Sequence, residues 1–214
     1  MCGICKNESR NSLCYKCKKK IQKEFKFTKI HTKDKNFLEQ YYLFQYKDLI
    51  RNMILEMKFQ KKPYIYKTIE YFLQNNKKYL EKLKKYDIII PVPMTNKKIK
   101  ERGYNQTEII AKIISQNITN ITMQKNVLIK YKNNKVQSQL NKEQRQQNVQ
   151  NVYELNNEEI IKNKNILILD DIYTTGATCN ECVKTLKNAQ PKKIGIITIA
   201  KDCEKIQVKN NRKE

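Results

Sequence analysis

The sequence predicts an α/β fold, a parallel sheet flanked by helices, with a small zinc-ribbon-like module at its N-terminus. Three apolar runs of strand length occupy residues 87–93, 165–170 and 193–199, and segments with helical periodicity occupy 107–118 and 177–188. Alternating strands and helices favour a parallel sheet, because right-handed crossovers place each helix over the sheet. Four cysteines near the start of the chain predict the additional module.

Length and hydropathy indicate one main domain with a small appendage. With 214 residues, of which 39% are hydrophobic, the chain can bury one sizeable core. No run approaches the roughly 20 apolar residues that span a bilayer, and the N-terminus lacks the charged and apolar layout of a signal peptide. We therefore expect a soluble, cytoplasmic protein with no membrane span.

The chain is strongly basic, with 44 Lys and Arg residues against 21 Asp and Glu residues and a formal net charge of +23. Such a charge attracts polyanions, including nucleic acid, phosphates and acidic lipid surfaces. Lysine and asparagine are abundant along the whole length, however, which is typical of a compositional bias. We expect most of this charge to form a solvated surface.

The first 24 residues hold four cysteines, Cys2, Cys5, Cys14 and Cys17, and too few apolar residues for a core of their own. Two pairs with two-residue spacers suit a tetrahedral Zn²⁺ site, and four protein ligands predict a structural rather than a catalytic metal. An iron–sulfur cluster or redox-active cysteines are the alternatives. The odd total of seven cysteines argues against a disulfide framework.

The next part of the chain predicts a strand followed by helices. Residues 37–46 are aromatic and partly alternating, which favours a strand, and Asp48 then precedes a helical pattern. A second helical stretch follows Pro63 and extends towards Lys85. Beyond the first buried strand, which two prolines end, residues 127–131 predict a further strand.

Residues 166–178 carry the most informative pattern, a buried strand that ends in Asp170 and Asp171 and then a hydroxyl-rich turn that enters a helix. Paired carboxylates at a strand end can accept hydrogen bonds from the vicinal hydroxyls of a ribose. Backbone N–H groups at the start of the helix can bind a phosphate, and Gly176 allows close approach. The alternative is an ordinary turn in which Asp171 or Thr174 only caps the helix.

This stretch resembles the phosphoribosyl pyrophosphate signature of the type I phosphoribosyltransferases: four apolar residues, two acidic residues, then Thr-Thr-Gly-x-Thr. The resemblance implies that Asp170 and Asp171 are the catalytic pair, which holds the ribose hydroxyls and stabilises an oxocarbenium-like transition state, while Mg²⁺ neutralises the leaving pyrophosphate. The implied phosphate-binding residues are Thr174, Thr175, Gly176, Ala177 and Thr178.

Two further blocks are similar to the ComF family, named for DNA-uptake competence. The first implies a pyrophosphate side made of Pro91, Val92, Pro93 and Arg102, followed by Gly103-Tyr104-Asn105-Gln106. The second, within the polar segment 132–151, implies a flexible loop that closes over the ligand and includes Gln137 and Arg145. A solvated basic helix start and a disordered linker are the respective alternatives. Gln139, Asn151 and Tyr153 depart from the family pattern.

The resemblance implies a type I phosphoribosyltransferase-like domain at 86–204, preceded by the zinc module at 1–24 and a hood or helical segment at 25–85, and followed by a charged tail at 205–214. Cys179 and Cys182 form another two-residue-spaced pair, which we interpret as core cysteines on a helix rather than a metal site.

Two functions remain open from the sequence. In the first, the chain is an enzyme that binds phosphoribosyl pyrophosphate with Mg²⁺ and transfers its phosphoribosyl group. This activity would be linked to DNA uptake or to nucleotide metabolism. Alternatively, it is a non-catalytic competence accessory protein that binds single-stranded DNA or a competence helicase through its zinc module and basic surface. A regulatory variant of the first binds the ligand as a metabolite sensor without turnover.

Overall fold

The computed structural model describes residues 2, 4–5, 7–10, 13–31, 37, 39–59, 65–131 and 151–202. Within these residues, the α-helices are α1 (Tyr15–Glu24), α2 (Asp48–Phe59), α3 (Ile65–Gln74), α4 (Lys77–Leu80), α5 (Asn96–Arg102), α6 (Gln106–Gln116) and α7 (Ala177–Lys187). The strands of the same residues are β1 (Phe25–His31), β2 (Glu39–Gln45), β3 (Ile88–Pro91), β4 (Thr122–Met123), β5 (Leu128–Lys130), β6 (Tyr153–Leu155), β7 (Asn165–Tyr173) and β8 (Lys193–Lys201).

Six of these strands form one sheet in the order β1-β2-β8-β7-β3-β4, and β5 pairs with β6 in a separate antiparallel ribbon. Strands β2, β8, β7, β3 and β4 run parallel to one another, whereas β1 pairs antiparallel with β2 at the edge. The predicted α/β fold with a parallel sheet flanked by helices is confirmed, with one antiparallel edge strand that the sequence did not predict.

The segment interpreted as a hood, residues 25–85, shares this central sheet. Strand β2 is buried from Gln40 to Phe44, so that side chains on both of its faces are covered, as expected of an interior strand. It pairs with β8, the last strand of the predicted phosphoribosyltransferase-like domain. The predicted boundary near residue 86 therefore does not divide the sheet.

Alternating side chains of the central strands separate the core into two layers. On one face, Leu167 and Ile197 belong to an apolar cluster with residues of α1, α2, α3 and α6. On the other face, Ile166 and Ile196 belong to a cluster with α7 and the β5–β6 ribbon. Helices thus cover both faces of the sheet, and the carboxyl edge of the sheet lies between the two covering layers.

Two predicted segments fall largely or wholly outside the described residues. These are most of the polar loop at 132–151 and the charged tail at 205–214. Among the described residues, none of the helices has the length and apolar character needed to cross a membrane.

Candidate active site and metal centre

Two adjacent carboxylates mark the carboxyl edge of the central sheet. Strand β3 ends at Pro91, opposite Leu169, whereas β7 continues beside β8 as far as Tyr173. Asp170 and Asp171 therefore extend past the end of β3 while β8 still supports their backbone. The apolar run of the sequence stops at Asp170, but the backbone pairing does not, so the strand is longer than predicted.

The Asp171 carboxylate is held by side chains from α2 and α6. Lys58 Nζ lies 2.8 Å from Asp171 Oδ2, and Gln106 Nε2 donates to the same oxygen over 2.6 Å. Burial by itself would raise the pKa of Asp171, but the Lys58 charge, the Gln106 hydrogen bond and the Arg102 charge lower this pKa below its ordinary value. Asp171 is consequently a carboxylate at neutral pH.

The Asp170 carboxyl group has a different environment. Cys179 Sγ of α7 lies 3.8 Å from Asp170 Oδ2, and the backbone N–H of Asp171 donates to Asp170 Oδ1 over 2.8 Å. Burial, followed by repulsion from Asp171, raises the pKa of Asp170 to about 7. Thr198, its register partner on β8, is fully buried, and its hydroxyl has no hydrogen-bond partner within the described part of the chain.

Four cations interact electrostatically with this carboxylate pair: Lys58, Lys98, Arg102 and Lys130. Burial and the charge of Arg102 lower the pKa of Lys98, and burial and the charge of Lys98 lower the pKa of Lys130 to about 8. The cations outnumber the two carboxyl groups, one of which titrates near neutral pH. Their mutual repulsion would be relieved by an anion, so the site is suited to bind a phosphorylated ligand.

The segment after α5, residues 104–106, links the carboxylate site to α2 and α6. The Tyr104 hydroxyl donates to the backbone carbonyl of Met57 in α2 over 2.5 Å. Asn105 caps α6, its side chain accepting from a backbone N–H of the first turn over 3.2 Å. Gln106 then reaches the carboxylate pair, and its Oε1 accepts from Arg102 Nη1 over 2.5 Å. The Arg-Gly-Tyr-Asn-Gln motif therefore positions α2, α6 and the carboxylates together.

The residues interpreted as the pyrophosphate side lie at the end of β3. Pro91 is the last residue of that strand, Val92 is buried, and Pro93 is partly exposed. The Val92 carbonyl accepts from Thr107 Oγ1 over 2.8 Å and from Asn105 Nδ2 over 3.3 Å. The α6 N-terminus thus holds this turn beside β7, one strand away from the carboxylates.

The turn between β7 and α7 enters the helix at a glycine. Gly176 is the N-cap residue with φ of 79°, and the backbone N–H of Ala177 donates to Thr175 Oγ1 over 3.4 Å. A Cβ at Gly176 would clash with the Tyr173 hydroxyl oxygen. Asp171 Oδ2 is bound by side chains of α2 and α6, so Asp171 does not serve as the cap of this helix, whereas the alternative that Thr174 does so stays a prediction. Backbone N–H groups of the first turn are placed at the carboxyl edge, where they can bind a phosphate.

The four N-terminal cysteines form a compact cluster. Their Sγ atoms all lie within 4.8 Å of one another, and Cys5 Sγ and Cys14 Sγ are 3.7 Å apart. Tetrahedral Zn²⁺ with bonds of about 2.3 Å requires sulfur separations of about 3.8 Å, so the cluster fits this metal. Burial opposes ionisation of Cys2, but backbone N–H groups of Cys14, Cys5 and Ile4 lower its pKa to about 6.

The cluster also belongs to the main core. Cys2 and Cys17 are buried and pack in the same apolar cluster as Ile21 of α1 and the residues of α2 and α3. Cys5 is exposed and Cys14 is intermediate. A metal here would fix the N-terminal residues onto the helical layer that carries Lys58.

The second cysteine pair is part of the core beneath α7. Cys179 and Cys182 are buried in the apolar cluster on the other face of the sheet, as the sequence predicted. Burial raises the pKa of both thiols. Neither is placed with other candidate ligands in a metal-binding group of the described residues.

Sequence reasoning assigned no role to Lys58 or Lys130. Both are single lysines in a lysine-rich chain, and no local pattern marks them. Lys130 lies on β5, where its Nζ is 3.5 Å from the Tyr153 hydroxyl of β6. Gln137 and Arg145, the predicted flexible-loop residues, lie outside the described residues.

The fold and the site define an α/β protein whose paired carboxylates lie, together with several cations, at the carboxyl edge of a parallel sheet. Residues 96–213, more than half of the chain, match the phosphoribosyl transferase domain family. The chain belongs to this family.

The resemblance to the ComF family is confirmed by a curated relative. The chain is 29% identical over 158 residues to Competence protein F of Haemophilus influenzae, and the match covers 70% of this chain and 66% of the relative. The chain thus spans just under two thirds of that protein. The chain is also similar to a solved structure described as the allosteric regulatory enzyme of purine biosynthesis, with 17% identity and a TM-score of 0.34 over 53% of this chain and 22% of the other. At this level the structural likeness adds nothing to the family assignment.

Proposed function

We propose that the protein binds phosphoribosyl pyrophosphate, together with Mg²⁺, at the carboxyl edge of the sheet and transfers its phosphoribosyl group to an acceptor. The observation that carries this proposal is the buried pair Asp170 and Asp171, which interacts with four cations and is followed by a helix whose N-cap is Gly176. This set combines an acceptor for ribose hydroxyls with two sites for phosphate, and it occurs in a phosphoribosyl transferase domain.

The ligand's parts correspond to different parts of the site. The 5′-phosphate binds the backbone N–H groups from Thr174 to Thr178, because a helix N-terminus favours an anion. The ribose hydroxyls donate to the carboxyl groups of Asp170 and Asp171. The pyrophosphate lies on the side of Pro91 to Pro93 and Arg102, and Mg²⁺ arrives with it. No described residue is assigned to that metal.

The reaction is substitution at the anomeric carbon. A lone pair of the acceptor forms the new bond to this carbon, while the bond to pyrophosphate breaks and its electron pair leaves with the pyrophosphate. The bond to pyrophosphate breaks ahead of bond formation, so the anomeric carbon carries positive charge in the transition state, and the proton of the acceptor leaves to solvent. Ionised Asp171 stabilises that charge electrostatically, and the low exposure of the pair strengthens the effect because solvent screens it little.

Calorimetry with phosphoribosyl pyrophosphate, with and without Mg²⁺, tests the proposal. The wild-type protein should show saturable binding that needs Mg²⁺, and the double variant Asp170→Asn/Asp171→Asn should bind at least about 100-fold more weakly. The matched control is Glu158→Gln/Glu159→Gln, which neutralises two adjacent exposed carboxylates away from the site. Absence of binding by the folded, zinc-loaded wild type would refute the proposal.

A second function is favoured by one surface. Helix α1 exposes Tyr15, with a side chain 70% exposed, beside the exposed lysines Lys16, Lys19 and Lys20. Lys19 Nζ lies 4.7 Å from the Tyr15 ring centroid. Basic groups with an open aromatic ring suit single-stranded nucleic acid, since bases stack on the ring while lysines contact the backbone.

This surface supports the alternative of a non-catalytic competence protein that binds single-stranded DNA, whereas its other predicted partner, a helicase, stays a prediction. Fluorescence anisotropy with a labelled oligothymidine at increasing salt is the appropriate measurement. DNA binding that falls steeply with salt and is weakened by Tyr15→Ala supports the alternative. Binding that Tyr15→Ala leaves unchanged counts against α1 as the nucleic-acid surface.

A further inference from the structure

We propose that Lys58, carried by α2, is a pyrophosphate-binding residue that leaves Asp171 for the ligand when a ribose hydroxyl takes its place. This inference rests on the proposed function, and it assigns a new residue to that site. The ion pair between Lys58 and Asp171 is then the resting state of the site rather than a permanent structural bond.

The backbone next to Lys58 is fixed by the site itself. Met57 is buried in the core, and its carbonyl accepts a 2.5 Å hydrogen bond from the Tyr104 hydroxyl, two residues before Gln106. The Lys58 side chain is 19% exposed and Asp171 is 10% exposed. The ammonium group is therefore held at the edge of the sheet on a long side chain that can turn while its backbone remains in place.

The position of Lys58 relative to the sheet identifies the part of the ligand that it meets. Adjacent residues of a strand point to opposite faces, and Asp170 contacts α7 through Cys179, whereas Asp171 contacts α2 and α6 through Lys58 and Gln106. In the proposed function, the 5′-phosphate binds at the N-terminus of α7. Lys58 lies on the opposite side, which is left for the pyrophosphate.

Exchange of partners is favoured by charge. Lys58 and Gln106 both donate to Oδ2 of Asp171, so a ribose hydroxyl that binds this oxygen competes with them. Lys58 and Lys98 also repel each other. A pyrophosphate with several negative charges offers Lys58 a stronger partner than one carboxylate, and charge-assisted bonds to phosphate oxygens are strong.

Calorimetry with two probes distinguishes a ligand contact from an effect through Asp171. The probes are inorganic pyrophosphate with Mg²⁺, and ribose 5-phosphate, which lacks the pyrophosphate. Lys58→Met should weaken pyrophosphate binding about tenfold or more, while ribose 5-phosphate binding changes less than about threefold. Lys58→Arg should recover most of the pyrophosphate affinity, because it keeps the charge on a long side chain.

Arg51→Met is the matched control, since Arg51 is an exposed cation on the same helix. It should change neither affinity more than about twofold, apart from a small effect of net charge. The inference is overturned if Lys58→Met binds pyrophosphate as the wild type does, or if both probes are weakened equally. In either case wild-type binding of phosphoribosyl pyrophosphate and its loss in the double aspartate variant would leave the proposed function intact. If the wild type binds neither pyrophosphate nor phosphoribosyl pyrophosphate, both proposals fail.

Discussion

Asp170 and Asp171 are adjacent in β7, yet their carboxyl groups contact opposite layers of the protein, Asp170 meeting Cys179 and Asp171 meeting Lys58. The two carboxyl groups consequently have different pKa values. Lys58 keeps Asp171 ionised, whereas Asp170 is buried next to that negative charge. Asp170 thus titrates near neutral pH while Asp171 stays ionised.

This difference predicts a pH-dependent gain in stability for Asp170→Asn. The folded pKa of Asp170 is raised from 3.8 to about 7. Between these values the folded state retains a proton that the unfolded state has lost, so this group makes the free energy of unfolding fall as pH rises. Asn does not titrate, so the stability of Asp170→Asn relative to wild type should increase by about 2 kcal/mol between pH 5 and pH 8.

Urea unfolding of both proteins at several pH values measures this effect. Glu158→Gln, at an exposed position, is the control and should show a difference that is nearly constant with pH. A constant difference for Asp170→Asn as well would mean that Asp170 is ionised throughout this range.

The parts of the site that lie in one continuous segment were predictable from the sequence. Asp170, Asp171 and Gly176 follow one another through a strand, a turn and a helix, so local rules place them together. Lys58 and Lys130 come from other elements and resemble the many solvated lysines of the chain. Only the packing of α2 and of the β5–β6 ribbon against the sheet edge brings them to the carboxylates.

The true length of β7 was hidden for a related reason. Two acidic residues ended the apolar run of the sequence, and apolar periodicity reports burial rather than backbone pairing. Pairing of Asp170 with Thr198 and of Tyr173 with Lys201 continues the strand, because β8 extends equally far. The shared sheet of residues 25–85 was missed in the same way, since β2 is joined to β8 only in three dimensions.

Gly176→Ala should reduce both stability and phosphate binding. The position has φ of 79°, and an added Cβ would clash with the hydroxyl end of the Tyr173 side chain. The left-handed conformation alone costs a non-glycine residue roughly 1–2 kcal/mol, and the clash must move either Tyr173 or the turn. We expect a loss above about 2 kcal/mol in urea unfolding, with at least a tenfold loss of ribose 5-phosphate affinity.

Gly103→Ala is the matched control for this variant. Gly103 has φ of 89°, but an added Cβ there would meet no atom within 4 Å. It should show only the backbone cost of roughly 1–2 kcal/mol and retain phosphate binding within a few-fold. Equal effects of the two variants would show that the contact with Tyr173 is relieved without consequence.

Tyr104→Phe should loosen α2 from the site. The substitution removes the hydrogen bond from the Tyr104 hydroxyl to the Met57 carbonyl and leaves that carbonyl, near the end of α2, without this donor. A loss of about 1 kcal/mol in the free energy of unfolding is expected. Hydrogen exchange should become faster in the last turn of α2. Tyr15→Phe, at a side chain 70% exposed, is the control and should change neither measurement.

Removal of zinc should destabilise the whole protein, because the four-cysteine cluster is continuous with the main core. Cys2 and Cys17 pack in the same apolar cluster as α1, α2 and α3, so loss of the metal removes part of the covering of the sheet. We expect one Zn²⁺ per chain by elemental analysis. Cys17→Ser or a strong chelator should abolish zinc binding and lower the thermal midpoint of unfolding by several degrees.

Cys182→Ala is the control, since it removes a buried cysteine on the other face of the sheet and should leave the zinc content at one per chain. Full zinc occupancy in Cys17→Ser would show that Cys17 is not needed to bind the metal. An unchanged thermal midpoint after chelation has removed the metal would show that the metal does not stabilise the fold.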